Sequence, residues 1–164
     1  MNKTNQHTSD KSHFREIVSQ HIDTMSEVEK EHESRNICLQ LKQILRESSA
    51  ILIDYTPLRD EINISDFSQW YTSRGYAILS TPQSLSVDIP IFPENSIILI
   101  PGRAFTKDGK RIGRGGGYYD KVLDKNPTLR SIGVAFSCQI FTELPQDSWD
   151  QRVDEVVFAE NILE

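Results

Sequence analysis

The residues best suited to chemistry concentrate in KDGKRIGRGGGYYDKVL, residues 107–123. Five glycines (Gly109, Gly113, Gly115, Gly116 and Gly117) stand among Lys107, Lys110, Arg111 and Arg114, ahead of Tyr118, Tyr119 and Asp120. Glycine leaves backbone N–H groups open to the close approach of an anion, and the neighbouring cations add to the attraction. An apolar, strand-like run, SIILIP (96–101), comes before the segment, and a helix-compatible run, YYDKVLDK, closes it. That layout predicts a phosphate-binding loop at a helix N-terminus. It is neither of the common nucleotide signatures. G-x-x-x-x-G-K-[ST] is absent, and G-x-G-x-x-G fails because Tyr118 takes the place of its third glycine. A glycine-rich hairpin carrying solvated cations is the plain alternative. The conjunction of arginines, consecutive glycines, paired tyrosines and an aspartate favours phosphate binding.

Carboxylates supply the other candidates. Asp120 suits Mg²⁺, which takes a few hard oxygens together with phosphates and water; the same residue would also favour a helix dipole from the first turn. Asp154 and Glu155 form a second acidic pair, or simply an exposed strand pair. Glu61, after a strand-end turn, can accept hydrogen bonds from a polar heterocycle, or be an ordinary surface acid. All four histidines, His7, His13, His21 and His32, lie near the N-terminus, and the glycine loop holds no serine or cysteine. Histidine acid–base work and a Ser-His-Asp triad are therefore poorly supported. The inventory of cations, backbone donors and carboxylates suits phosphoryl chemistry run by electrostatics.

The elements that must position these groups are legible from pattern. Residues 1–10 read as a flexible N-terminus and 11–164 as one domain. Ser9 or Asp10 is expected to cap a helix reaching about Ile22, with Phe14, Ile17 and Val18 on its apolar face. A longer helix is expected over 26–46, charged in its first half (EVEKEHESR) and apolar-striped in its second. DFSQWYTS reads as a third helix, with Ser65 or Asp66 as its cap. AILIDY (50–55), YAILST, SIILIP, SIGVAF (131–136) and VDEVVFA (153–159) read as strands. Helices alternating with short apolar strands predict a three-layer α/β/α domain with a mostly parallel sheet. Ligands of such sheets gather beyond the carboxyl ends of the strands. TPLRDE, the glycine-rich stretch and SCQI are expected there.

Composition narrows the partners. The chain has 164 residues, 37% hydrophobic and 26% charged, with a net charge of −6. That balance disfavours general nucleic-acid binding, including an RNA-binding role for RGGGYY. Cys38 and Cys138 form no C-x-x-C pair, so reduced thiols are expected, with Cys138 in a packing role. No run is long and apolar enough for a membrane span, and MNKTNQHTSD lacks the core of a signal peptide. A cytoplasmic monomer is expected.

PGRAFTKDGKRIGRGGGYYD closely resembles the signature of the 5-formyltetrahydrofolate cyclo-ligase (methenyltetrahydrofolate synthetase) family. That signature is Pro-Gly-x-x-Phe-Asp, a variable turn, then Arg-Leu-Gly-Arg-Gly-x-Gly-Tyr-Tyr-Asp. KSHFR, YTPLRDEI and RVDEVVF resemble three further family elements in the same order. The resemblance implies ATP- and Mg²⁺-dependent conversion of 5-formyltetrahydrofolate to 5,10-methenyltetrahydrofolate, ADP and phosphate. It implies that Lys11 and Arg15 contact ATP phosphates from the first helix. Arg111, Arg114 and the N–H groups of Gly113, Gly115, Gly116 and Gly117 would hold the phosphates. Arg114, Lys11 and Arg111 would be catalytic. Tyr118 and Tyr119 would border nucleotide and folate, Glu61 would bind the pterin with Tyr118 alongside, and Asp120 with Asp154 would serve magnesium. Two departures stand out. The segment 82–95 is shorter than in the family, and Arg103 and Thr106 replace a small or apolar residue and an aspartate. Arg103 could meet the folate's glutamate tail or sit on the surface. The alternative is a divergent ATP-dependent relative acting on another formylated or carboxylated substrate.

Overall fold

Apolar alternation decides the centre of the molecule. In the strand Ile97–Pro101, Ile97 and Leu99 join one buried cluster, and Ile98 and Ile100 join another. Strand side chains alternate between faces, so a strand apolar at every position must be covered on both. The computed structural model describes residues 3–81 and 88–159, with side chains from Asp10 onward. In chain order the elements are α1 (Lys3–Thr24), α2 (Glu27–Ile44), β1 (Leu52–Asp54), α3 (Ser65–Ser73), β2 (Ile78–Ser80), β3 (Ile97–Pro101), β4 (Ala104–Thr106), β5 (Arg111–Ile112), α4 (Tyr118–Lys125), β6 (Arg130–Ala135), a 3-10 turn (Ser137–Gln139), β7 (Ile140–Phe141) and β8 (Glu155–Phe158).

The central sheet has the order β2-β1-β3-β6-β8, and every pair in it is parallel. One face packs on α1, α2 and α3 through Val18, Ile22, Ile37, Leu41, Phe67 and Tyr71. The other packs on α4 through Val122 and Leu123, with Phe105 of β4 between. A Cβ on Gly133 of β6 would stand 2.6 Å from the Phe105 ring, so glycine is what lets β4 lie this close. The three-layer α/β expectation is borne out.

Local signals were read with mixed success. Ser26 caps α2 in a reciprocal capping box with Glu29, as its sequence suits. The first helix instead starts at Lys3, so Ser9 and Asp10 lie inside it and not at its cap position. Ser65 is the first residue of α3 and Asp66 lies in its first turn; the cap position is Ile64, which makes no side-chain bond. A second small sheet, β5-β4-β7, was not anticipated. Its strands are only two or three residues long, too short for periodicity to register. The stretch after β3 is thus a tight β4–β5 hairpin that turns at Gly109 before it reaches the glycine loop. Part of the expected N-terminal extension (residues 1–2) and most of the short segment's first half (82–87) lie outside the described residues. No described helix is long and apolar enough to cross a membrane.

Candidate active site

A cavity of about 540 Å³ opens beyond the carboxyl ends of β1, β2 and β3, where Tyr55, Thr81 and Gly102 follow their strands. Its walls hold Lys11, Arg15, Glu61, Arg111, Gly113, Arg114, Gly115, Gly116, Gly117, Tyr118, Tyr119 and Asp120. Every site residue expected from the sequence is therefore present except Asp154.

Three structural pieces make these walls. The first is α1, whose Lys11 and Arg15 stand one turn apart on the same face. The Lys11 ammonium meets Asp147 at 2.7 Å and also bonds Asp150. Arg15 donates from Nε to the Gly113 carbonyl at 2.8 Å, tying the helix to the glycine loop. Burial lowers the Arg15 pKa, against the opposing pull of Asp150.

The second piece is the glycine loop running into α4. Gly115 (φ 108°) and Gly117 (φ 64°) adopt positive φ, which side chains disfavour. Gly117 is the N-cap of α4 and offers no side-chain cap. The first N–H groups of the helix therefore face the cavity mouth without a side-chain acceptor from the cap. Arg111, 4% exposed, donates to Asp120 Oδ1 at 2.9 Å, and its Nε is buried with no hydrogen-bond partner among the described residues. The Gln151 N–H donates to the same Asp120 oxygen at 3.0 Å. Tyr119 lies 5.1 Å from Tyr118, edge to face, and its hydroxyl pairs with Thr81. Burial pushes the Tyr119 phenol up to about 12. The Tyr118 hydroxyl is buried and has no hydrogen-bond partner among the described residues.

The third piece is the β1–α3 loop. Tyr55 fixes it by donating to the Ile62 carbonyl at 2.9 Å. Glu61 accepts from the Leu58 N–H at 3.0 Å and from Arg114 Nε at 3.1 Å. Arg114 also bonds Asp60 through Nη2. Burial alone would lower Arg114, but the Asp60 and Glu61 carboxylates hold its pKa above the ordinary value. Burial alone would raise Asp60, but Arg114 and Arg103 hold it below.

Some expectations need correction. Asp154 lies at the amino end of β8, where it accepts from the Ser131 N–H at 2.7 Å and the Ser131 hydroxyl at 2.8 Å. That is the opposite edge of the sheet from the cavity, so Asp154 and Asp120 are not brought together. The Asp154 carboxylate instead ties β8 to β6. Arg103 is neither at the surface nor in the cavity. It is 5% exposed and joins Asp60 to Ser19 of α1. SCQI does not line the cavity; Gln139 is buried and donates to the Gly102 carbonyl at 2.7 Å and the Arg103 carbonyl at 3.1 Å. Lys107 lies over the Phe158 ring and Lys110 pairs with Glu143, both away from the cavity. Cys138 is half-buried against Met25, its pKa pushed by burial to about 11, which fits a packing thiol.

Sequence reasoning missed Asp60, Asp147, Trp149 and Asp150, all but Asp60 part of the cavity lining. The signal was present in LPQDSWD, where two carboxylates three apart flank an aromatic that is 59% exposed. As for magnesium, no group of three or more metal-ligating side chains occurs among the described residues. Asp120 lines the cavity with its Oδ1 taken by Arg111 and Gln151, so Oδ2 is the oxygen that would serve a cation. One carboxylate with phosphate oxygens and waters is a normal Mg²⁺ shell.

Comparison with known proteins places this geometry. The family model described as the 5-formyltetrahydrofolate cyclo-ligase family matches residues 28–159. The 5-formyltetrahydrofolate cyclo-ligase of Mycoplasma pneumoniae is 29% identical over 161 residues, covering 90% of this chain and 98% of that protein. The mouse cyclo-ligase is 39% identical over 70 residues, 40% of this chain. The matched stretch spans 34% of the mouse relative and 35% of the Haemophilus influenzae one. Among solved structures, the 5,10-methenyltetrahydrofolate synthetase of Mycoplasma pneumoniae superposes with a TM-score of 0.77 at 26% identity, covering 90% of this chain and 98% of that one. The Aquifex aeolicus synthetase gives 0.72 at 27% identity, covering 90% and 89%. A family match across most of the domain, made by a chain whose glycine loop, cations and Glu61 meet in one cavity, leads to one conclusion: this chain belongs to the 5-formyltetrahydrofolate cyclo-ligase family.

Proposed function

We propose that the protein cyclises 5-formyltetrahydrofolate to 5,10-methenyltetrahydrofolate at the expense of ATP, releasing ADP and phosphate. The observation that carries this reading is the sharing of one cavity by two recognition sets. Lys11, Arg15, Arg111, Arg114 and the 113–117 backbone suit a polyphosphate, and Glu61 suits the donors of a pterin ring. Family membership supports the folate substrate.

The chemistry asks for this combination. A formamide is a poor electrophile and its oxygen a poor leaving group. Transfer of the terminal phosphoryl group of ATP to that oxygen gives a phospho-imidate. Folate N10 then attacks the formyl carbon and gives up its proton, and the C–O bond breaks as phosphate departs, carrying that proton. Both nitrogens belong to one molecule, so closure is favoured by proximity once the oxygen is activated. The protein's share is positioning and charge. Lys11, Arg15, Arg111 and Arg114 hold phosphate oxygens and stabilise charge developing in transfer. Glu61, fixed by the Leu58 N–H, orients the pterin. Tyr118 and Tyr119 wall the site; the Tyr119 phenol stays neutral across physiological pH and acts as a hydrogen-bonding surface, not a base. Mg²⁺ would be held by Asp120 with the phosphates and would neutralise their charge; Asp154 has no part in it.

The test is absorbance at the methenyltetrahydrofolate band after mixing protein, MgATP and 5-formyltetrahydrofolate. A rise that requires all three components is expected. No rise, with ATP still bound, would overturn the folate reading and point to another formylated or carboxylated substrate.

A further inference from the structure

Arg103 is almost fully buried behind the cavity, outside its lining, and carries a guanidinium there. Its Nη1 bonds Asp60 and its Nη2 bonds the Ser19 hydroxyl of α1. Asp60 divides its two oxygens: Oδ2 takes Arg103 and Oδ1 takes Arg114 Nη2. The order of strength follows from burial. The Arg103 side chain is 6% exposed and that of Arg114 44%. A buried guanidinium cannot release its carboxylate without being left unpaired, whereas the half-exposed Arg114 can exchange partners with water or ligand. Asp60 is therefore anchored from behind, and Arg114 is what it holds.

The way Arg114 is held matters for the ligand. Guanidinium has five N–H donors in a rigid plane. Arg114 gives Nη2 to Asp60 and Nε to Glu61, which are neighbours along one edge of that plane. Its Nη1 has no hydrogen-bond partner among the described residues, and Arg114 lines the cavity. Held by one edge, the guanidinium is oriented while the Nη1 end remains to offer an anionic oxygen. Arg114 itself sits between Gly113 and Gly115 on a loop with little conformational restraint of its own, so the orientation has to come from outside the loop.

We propose that Asp60, seated by the buried Arg103, is a positioning residue that fixes the Arg114 guanidinium by its Nε/Nη2 edge and aims its Nη1 end at the ligand's phosphoryl oxygen. Asp60 touches no substrate and acts only through Arg114. The kinetic arm of its test rests on the function proposed above; the spectroscopic arm does not.

The experiment is a double-mutant cycle on the full chain. Asp60→Asn is expected to lower kcat about tenfold to a hundredfold, the scale of a misplaced catalytic group, with the MgATP dissociation constant changed by less than about threefold. In an Arg114→Ala background the same substitution should change kcat by less than about twofold, since nothing is left to position. Equal losses in both backgrounds, or an unchanged kcat in Asp60→Asn, would overturn the proposal. Should Asp60→Asn fail to fold because Arg103 loses its counter-charge, Asp60→Asn with Arg103→Gln removes both charges and must give the same cycle. The second arm is the ¹H–¹⁵N signal of the Arg114 side-chain Nε, assigned by its loss in Arg114→Ala. It should be slowly exchanging in the wild type and broadened in the Asp60 variants. An Arg114 signal indifferent to Asp60 would overturn the proposal. A wild type that binds MgATP but turns over no formylfolate would sink the folate reading alone, and the Nε signal then decides this inference.

Discussion

Arg114 joins the glycine loop to two acids on another loop, and single substitutions at this point separate catalysis from stability. Arg114→Ala should lower turnover by about a hundredfold to a thousandfold, the range seen when one donor to a developing oxyanion is lost. Its half-exposed side chain predicts a smaller effect on the unfolding midpoint, because Glu61 keeps the Leu58 N–H. Steady-state kinetics beside thermal unfolding will check this; an equal collapse of both would make the residue structural. Tyr119 gives a pH prediction. Its folded pKa is raised to about 12 from 10.0, so its contribution is fully present below pH 10 and lost as pH rises through 12. Two units correspond to about 2.7 kcal/mol at most. Tyr119→Phe should flatten the stability curve over that window, as measured by urea unfolding at several pH values. At this scale the sequence was informative about place: the arginines and glycines it singled out over 111–117 meet in one cavity. It was silent on Asp60 and Arg103, because which carboxylate meets which guanidinium is set by a contact 43 residues apart in the chain.

Among the elements, the β4–β5 hairpin does the work of carrying the chain from β3 to the glycine loop. Its turn depends on Gly109, at φ 92°, where a Cβ would stand 2.1 Å from the Val153 carbonyl oxygen. Gly117, at φ 64°, has open space around its missing Cβ. Gly109→Ala should therefore cost roughly 3 kcal/mol, near the upper end for a point substitution, although it is remote from the cavity. Gly117→Ala should cost only about 1 kcal/mol, the price of a left-handed alanine. Urea unfolding of the two variants ranks them; a larger loss at Gly117 would contradict this account. The long elements were legible for physical reasons: apolar runs of four to six residues in β3 and β6, and a capping box at α2, are local signals. The hairpin was not, since AFT and RI become strands only by pairing with each other and with Ile140–Phe141.

On the scale of the whole molecule, the sheet keeps apart the two acids expected to share a metal. Asp120 stands at the cavity and Asp154 at the far edge, bonded to Ser131. Asp120→Asn should weaken the magnesium dependence of turnover and destabilise the fold by about 3 kcal/mol, because the buried Arg111 loses its carboxylate. Asp154→Asn should leave the magnesium titration unchanged while lowering the unfolding midpoint. A shifted magnesium midpoint in Asp154→Asn would return that residue to the metal. The metal role of Asp154 rested on the resemblance of RVDEVVF alone; the residue stands at the amino end of a parallel strand, away from the carboxyl ends where the cavity opens. One contact described above reaches further. Lys11 of α1 is bonded to Asp147 and Asp150, which lie 136 and 139 positions later in the chain. During synthesis α1 must wait, the Lys11 ammonium in water, until Asp147 and Asp150 have left the ribosome. A nascent chain stalled before residue 147 should carry the glycine loop and still lack a closed pocket, so the cavity is completed only when the segment holding Asp147 and Asp150 emerges.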